Sequence, residues 1–123
     1  MKGMGQIVTW SVRDETLHCN SMIRLFRAFI KENPEIWNEK LQNELYDACK
    51  TIIAHEDAFI DRAFELGTVE GLRPEEVKQY MRYMADIRLN QLKLQPIYKI
   101  STNPLPWMDA VSYTHLTLPT TLV

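Results

Sequence analysis

The sequence has few cysteines, no excess of basic over acidic residues and no long apolar run, and each of these absences argues against a class of protein. Cys19 and Cys49 lie far apart and form no Cys-x-x-Cys motif, which argues against a disulfide framework or a zinc site. No apolar run approaches the roughly 18 residues of a membrane span, and the N-terminus lacks the apolar region of a signal peptide. The net charge of −2 gives no basic surface for nucleic acid. We therefore expect one cytoplasmic domain without a membrane or nucleic-acid partner.

Three long helical patterns cover most of the chain. The first runs from about residue 6 to 31. Asn33-Pro34-Glu35 combines an N-cap residue, a proline suited to the first helical position and an early acid, so it predicts the start of a second helix ending near Leu66. Pro74-Glu75-Glu76 starts a third helix in the same way, and Gln95-Pro96 is expected to end it. The fold class is therefore all-α.

The run Arg13-Asp14-Glu15-Thr16-Leu17-His18 carries the clearest chemistry. At about 100° per residue, Glu15 falls in the middle of an apolar stripe and His18 roughly 60° to its side. The stripe consists of Val8, Val12, Cys19, Met22, Phe26 and Phe29. A buried ionised carboxylate needs a charge, hydrogen bonds or a metal to compensate it. We therefore expect Glu15 on a buried surface beside His18, with the two acting either as metal ligands or as a hydrogen-bonded pair between helices.

Two segments resemble the class I ribonucleotide reductase small subunit, which is the radical-generating subunit. Residues 13–18 are similar to that family's Arg-Asp-Glu-x-x-His signature, and residues 101–107 are similar to its Asn-Pro-x-Pro-Trp segment. The resemblance covers residues 1–111, which correspond to a minor, C-terminal part of a family-length subunit. It implies a ferritin-like helical bundle, present here in part as about three long helices.

The resemblance also implies a site and an activity. Glu15 and His18 would be ligands of the second metal in a di-iron centre, with manganese possible in place of iron. Asp14 would hydrogen-bond in the network that joins the metals to the radical-transfer path. From the residues alone, Asp14 could equally be an acid on the surface or at a contact between two helices. The implied enzyme is a ribonucleoside-diphosphate reductase, whose small subunit uses the metal centre and oxygen to generate the radical needed for deoxyribonucleotide synthesis. Its implied partners are the large subunit and a second small subunit.

The match to the family is incomplete. A complete site needs four carboxylates and two histidines, whereas one of each is matched here, so we expect the fragment alone to be inactive. No capping signal precedes the first helix at Gln6, so we expect Met1 to be an internal methionine. Another ferritin-like di-metal oxidase is an alternative, although residues 103–107 argue against it because they are not part of the general metal motif. A non-catalytic helical interaction fragment, in which the Glu15–His18 pair is structural, is the other alternative.

The remaining candidates are expected to be structural. His55-Glu56-Asp57 is expected to be a polar, partly exposed stretch, and Glu56 would form a structural ion pair rather than bind metal if it faced inward. Tyr80 and Tyr83 are expected to be packing residues. Trp107 is expected to pack on the bundle. Residues 112–123 contain no Asp, Glu, Lys or Arg and do not resemble the family, so we expect a disordered tail or an adapter sequence there.

Overall fold

The computed structural model describes residues 2–108, and this part of the chain is all-α, as the sequence predicts. Helix α1 spans Lys2–Glu32, α2 spans Glu39–Ala63 and α3 spans Pro74–Gln91, and a 3-10 turn, Pro34–Ile36, separates α1 from α2. None of these helices is both long and apolar enough to cross a bilayer. The tail expected at 112–123 lies outside the described residues.

The junction between α1 and α2 differs from the prediction. Pro34 opens a 3-10 turn rather than α2, and the Asn33 side chain donates to the Phe29 carbonyl oxygen at 3.0 Å, so it does not cap a following helix. Asn38 is the N-cap of α2, because its side-chain oxygen accepts from the Leu41 amide at 3.0 Å. The predicted start of the second helix was therefore wrong by five residues, since two Asn residues compete for the cap.

Helix α3 ends earlier than Gln95-Pro96 predicts. It ends where the amides of the following residues bond to the last carbonyl groups of the helix. Lys93 has a φ of 67°, its amide donates to the Asn90 carbonyl at 3.0 Å, and the Leu94 amide donates to the Leu89 carbonyl at 2.9 Å. These two bonds form a Schellman motif, in which a residue with positive φ reverses the chain. Leu89 and Leu94, the apolar pair that accompanies the motif, are both 3% exposed. Glycine is the usual residue at the positive-φ position of a Schellman motif, and here Lys93 occupies that position.

The core lies between α2, α3 and the segment that follows α3. Its buried apolar residues are Ile53, Ile60, Leu89, Leu94 and Leu105. Leu105 belongs to the Asn-Pro-x-Pro-Trp segment, where its amide donates to the Asn103 side chain at 2.9 Å. Trp107 is 51% exposed, so the expectation that it packs on the bundle was wrong. Leu105 is the residue that ties this segment to the core.

Helix α1 makes its main contact with the 3-10 turn. The Phe26 ring meets the Trp37 ring edge-on, with centroids 5.9 Å apart and the planes at 75°. Much of the rest of the helix is open to solvent, including Met4, Ile7, Val8, Trp10, Val12, Leu17, Met22, Leu25 and Phe29, each more than 40% exposed. The described fold is thus a packed α2–α3 pair with a long, largely uncovered α1.

Candidate metal centre

Glu15 and His18 lie one helical turn apart near the middle of α1. The helix is continuous through this turn, and the Thr16 hydroxyl donates to the Val12 carbonyl oxygen at 2.7 Å. Residues at i and i+3 share a helix face, so the carboxylate and the imidazole can reach one ligand. This local arrangement follows the sequence prediction.

The surroundings of the pair do not follow the prediction. Glu15 and His18 are both exposed, and their neighbours Val8 and Met22 are 53% and 63% exposed. The expectation that Glu15 points at a buried surface was therefore wrong within the described chain. The apolar stripe of α1 is real, but the 3-10 turn reaches it near Phe26 and leaves the central turns uncovered.

Asp14 lies beside the pair and is also exposed. Its carboxylate lies 4.0 Å from the Arg13 guanidinium, with side chains that are 63% and 59% exposed. An exposed pair at this distance contributes at most a few tenths of a kcal/mol to stability. The structure therefore gives Asp14 no anchoring role within α1.

The donor chemistry of the pair suits iron or manganese, but the number of donors is too small. Carboxylate oxygen and neutral imidazole nitrogen are ligands that these metals accept. Across residues 2–108 there is no group of three or more His, Cys, Asp or Glu side chains that could hold a metal ion. Glu15 and His18 can therefore serve only as part of a metal site, and its other donors would have to come from outside these residues.

A second polar cluster joins α2 to α3. The two terminal guanidinium nitrogens of Arg82 donate to the carboxylate of Asp57, at 2.9 and 2.6 Å, and the guanidinium carbon lies 5.5 Å from the centroid of the Tyr98 ring. The hydrogen bond from Arg82 lowers the pKa of Asp57. The expectation that the stretch 55–57 is polar and partly exposed is confirmed. The sequence considered an ion pair only for Glu56, whereas Asp57 is the residue that forms one.

Asp86 is the buried acid of the described chain and anchors the segment after α3. It is 8% exposed, and its carboxylate accepts from the amides of Ile97, Tyr98 and Ile100 at 2.9, 3.0 and 3.1 Å. Burial, and then the charge of Asp86, raise the pKa of the nearby Cys49 thiol. Sequence reasoning missed Asp86, although an acid among the apolar positions of a helix could have signalled a buried carboxylate.

Comparison with known proteins gives one consistent family. The chain matches the family model described as ribonucleotide reductase, small chain, over residues 1–104. A probable ribonucleoside-diphosphate reductase small subunit from Invertebrate iridescent virus 3 is 42% identical over 110 residues, which cover 89% of this chain and 29% of that protein. The ribonucleoside-diphosphate reductase subunit beta of Chlamydia pneumoniae is 37% identical over 109 residues, which cover 89% of this chain and 31% of that protein.

A solved structure gives the same result for the fold. The ribonucleotide reductase R2 subunit from Clostridium botulinum superposes with a TM-score of 0.83 at 26% identity, over 91% of this chain and 35% of that one. This similarity confirms the expected ferritin-like helical fold. The chain spans about a third of the length of the relatives it matches.

Proposed function

Because the chain belongs to the ribonucleotide reductase small-chain family, we propose that it is part of a ribonucleoside-diphosphate reductase small subunit and supplies one helix of its dinuclear metal site. The observation that carries this proposal is the turn Arg13–His18. It reproduces the Arg-Asp-Glu-x-x-His pattern inside the matched region 1–104 and stands on a continuous helix with both donors accessible.

In the proposed function, Glu15 binds one metal through its carboxylate and His18 binds the same metal through its neutral imidazole. Both donors must be deprotonated, so metal binding at this turn weakens in acid. Asp14 acts as a positioning residue, because a carboxylate beside the ligands can hydrogen-bond to them and fix their orientation. A dinuclear iron or manganese centre, when bound, would use oxygen to supply the oxidising equivalent that generates the radical.

The proposal includes a cellular setting. The full-length small subunit, of which this chain is a part, works in the cytoplasm and pairs with a second small subunit. It passes its oxidising equivalent to the large subunit for the reduction of ribonucleotides. The other ligands and the docking surface for the large subunit come from residues outside this chain. On its own the chain is inactive, since two donors on one helix do not close a metal site.

A chimaera tests the proposal. Residues 1–104 of this chain replace the matching region of the Chlamydia pneumoniae relative, whose remaining two-thirds supplies the missing parts. We expect the chimaera to bind iron and to support ribonucleotide reduction with that relative's large subunit. Glu15→Gln and His18→Asn should each lower its metal content, whereas the exposed His55→Asn serves as a matched control.

The chimaera also tests the positioning role of Asp14. Asp14→Asn should retain metal yet lose about 10- to 100-fold in activity, as is typical when a group that orients metal ligands is removed. A chimaera that folds but neither binds metal nor reduces ribonucleotides would contradict the proposed function. It would favour a helical interaction fragment, the alternative that the exposed apolar residues of α1 support.

A further inference from the structure

A groove lies where the ends of α1 and α3 meet the 3-10 turn. Its floor is apolar and consists of four half-buried residues, Phe26, Ile30, Trp37 and Leu92. The edge-on contact between the Phe26 and Trp37 rings holds one side of this floor in place. The groove has a volume of about 500 Å³ and is open to solvent along one side. Since ligand pockets usually measure roughly 300–1,000 Å³, this groove can hold one large apolar side chain of a ligand.

Three cations form the rim of the groove. Arg27, Lys31 and Lys93 are exposed, and none of the described residues that line the groove is acidic. Within residues 2–108, none of the three cations forms an ion pair. The carboxyl ends of α1 and α3 also lie at this groove, and their partial charges of about −0.5 each offset roughly one cation and leave a net charge of about +2. The rim is therefore positive.

The cations also bear on whether the groove stays open in a longer subunit. The chain spans about a third of its relatives' length, so helices outside it can cover its uncharged apolar faces. Lysine and arginine are almost never buried without a partner, and a helix that covered this rim would have to compensate three unpaired cations. We therefore expect the groove to face water in the longer subunit, unlike the turns of α1 around Glu15.

We propose that this groove binds an acidic peptide segment of a partner protein, which places one large apolar side chain on the floor and its carboxylates against the rim. Charge complementarity selects this occupant, because a purely apolar segment would leave the rim unused and a basic one would be repelled. The guanidinium group of Arg27 can bind a carboxylate through two parallel hydrogen bonds, and Lys31 and Lys93 add single charges. The groove involves neither Glu15 nor His18, so this inference is independent of the proposed metal site.

Selection of peptides from a random phage-displayed library on the complete chain tests the proposal. We expect the selected sequences to combine Asp or Glu with one large apolar residue, and synthetic peptides of these sequences to bind the chain. The double variant Arg27→Gln with Lys31→Gln should raise their dissociation constant by about tenfold, because two ionic contacts are lost.

The matched control is Lys2→Gln with Arg62→Gln, which removes two exposed cations at the far ends of α1 and α2. It changes the net charge by the same amount and should leave peptide binding unchanged. Circular dichroism confirms that each variant keeps its helices. The proposal is overturned if no peptide is selected, if the selected sequences are not enriched in acids, or if both double variants weaken binding equally.

The fluorescence of Trp37 tests where the peptide binds. Trp10→Phe with Trp107→Phe leaves Trp37 as the single tryptophan, and both replaced side chains are more than 50% exposed, so the fold should be kept. Binding of a selected peptide should shift the emission of Trp37 to shorter wavelength, because the inserted apolar side chain excludes water from the ring. An emission that stays constant up to saturation would place the peptide elsewhere and refute the groove as its site.

The chimaera with the Chlamydia pneumoniae relative tests the other possible occupant, a segment of the same subunit outside this chain. We expect the chimaera to bind the selected peptide as tightly as the complete chain does. If the complete chain binds the peptide and the chimaera does not, another part of the subunit covers the groove and the docking site for a partner is wrong. Arg27→Gln with Lys31→Gln should leave the iron content of the chimaera unchanged, so the docking site and the proposed metal site fail or succeed separately.

Discussion

Asp86→Asn is expected to loosen the segment after α3 while leaving the α2–α3 pair folded. One carboxylate oxygen of Asp86 accepts from the Ile97 and Tyr98 amides, and the other accepts from the Ile100 amide at 3.1 Å. Asparagine keeps one oxygen, which can still serve the first two amides. Its NH₂ group then faces the Ile100 amide, so that a donor meets a donor.

The expected size of the effect follows from these bonds. A hydrogen bond to a charged group contributes about 1.5–3 kcal/mol, and a buried donor left unpaired loses a similar amount. We therefore expect Asp86→Asn to cost about 2 kcal/mol locally, which speeds exchange of the Ile100 amide by roughly 30-fold. Asp86→Ala leaves all three amides without their acceptor and should cost about 4 kcal/mol, because such losses are not fully additive.

Hydrogen exchange followed residue by residue measures this directly. Asp47→Asn is the control, because Asp47 is an exposed acid that lies 3.8 Å from Lys50 on the surface of α2. It should leave the exchange of residues 97–100 unchanged. If Ile100 exchanges at the same rate in Asp86→Asn as in the parent chain, the carboxylate does not hold this segment and the reasoning fails.

The remaining predictions concern a helix stop, an ion pair and a thiol. Lys93→Gly should raise the free energy of unfolding by about 0.5–1 kcal/mol in urea titration, because the positive φ of 67° strains lysine and not glycine. A lower stability would contradict the Schellman stop. The pKa of Asp57 is lowered in the fold by Arg82, so the pair's stabilisation is present above the unfolded pKa of about 3.9 and is lost as pH falls through the folded pKa. Asp57→Asn should therefore flatten the acid limb of the stability curve, and an unchanged limb would refute this. The raised pKa of the Cys49 thiol should slow its alkylation at pH 8 by at least about threefold relative to the urea-unfolded chain, measured in a Cys19→Ser background. Equal rates would show that the thiol is not desolvated.

Several local features of this protein could be predicted from its sequence. Helix periodicity indicated three long helices, and the early acids after Pro74 marked the start of α3 correctly. The spacing of Glu15 and His18 fixes their common face, because one helical turn separates them wherever α1 lies. These properties depend on residues within one or two turns of each other.

Some local signals gave the wrong answer because two residues could serve the same purpose. Asn33 and Asn38 are both suitable N-caps, and only the path of the chain through the 3-10 turn selects Asn38. Lys93 ends α3 although proline was expected to do so, since burial of Leu94 draws the chain back over the helix. Differences in intrinsic helix propensity are too small in free energy to decide which of two nearby residues starts or ends a helix.

The tertiary structure alone decided what each helix face meets. An apolar stripe shows that a surface prefers to be covered, but not whether residues 2–108 cover it, and Glu15 proved to be exposed for that reason. Asp57 finds Arg82 25 residues away, and Asp86 finds amides 11 to 14 residues away. Such partners are set by how α2, α3 and the following segment pack, because a side chain's own neighbours in sequence do not fix what the fold brings against it.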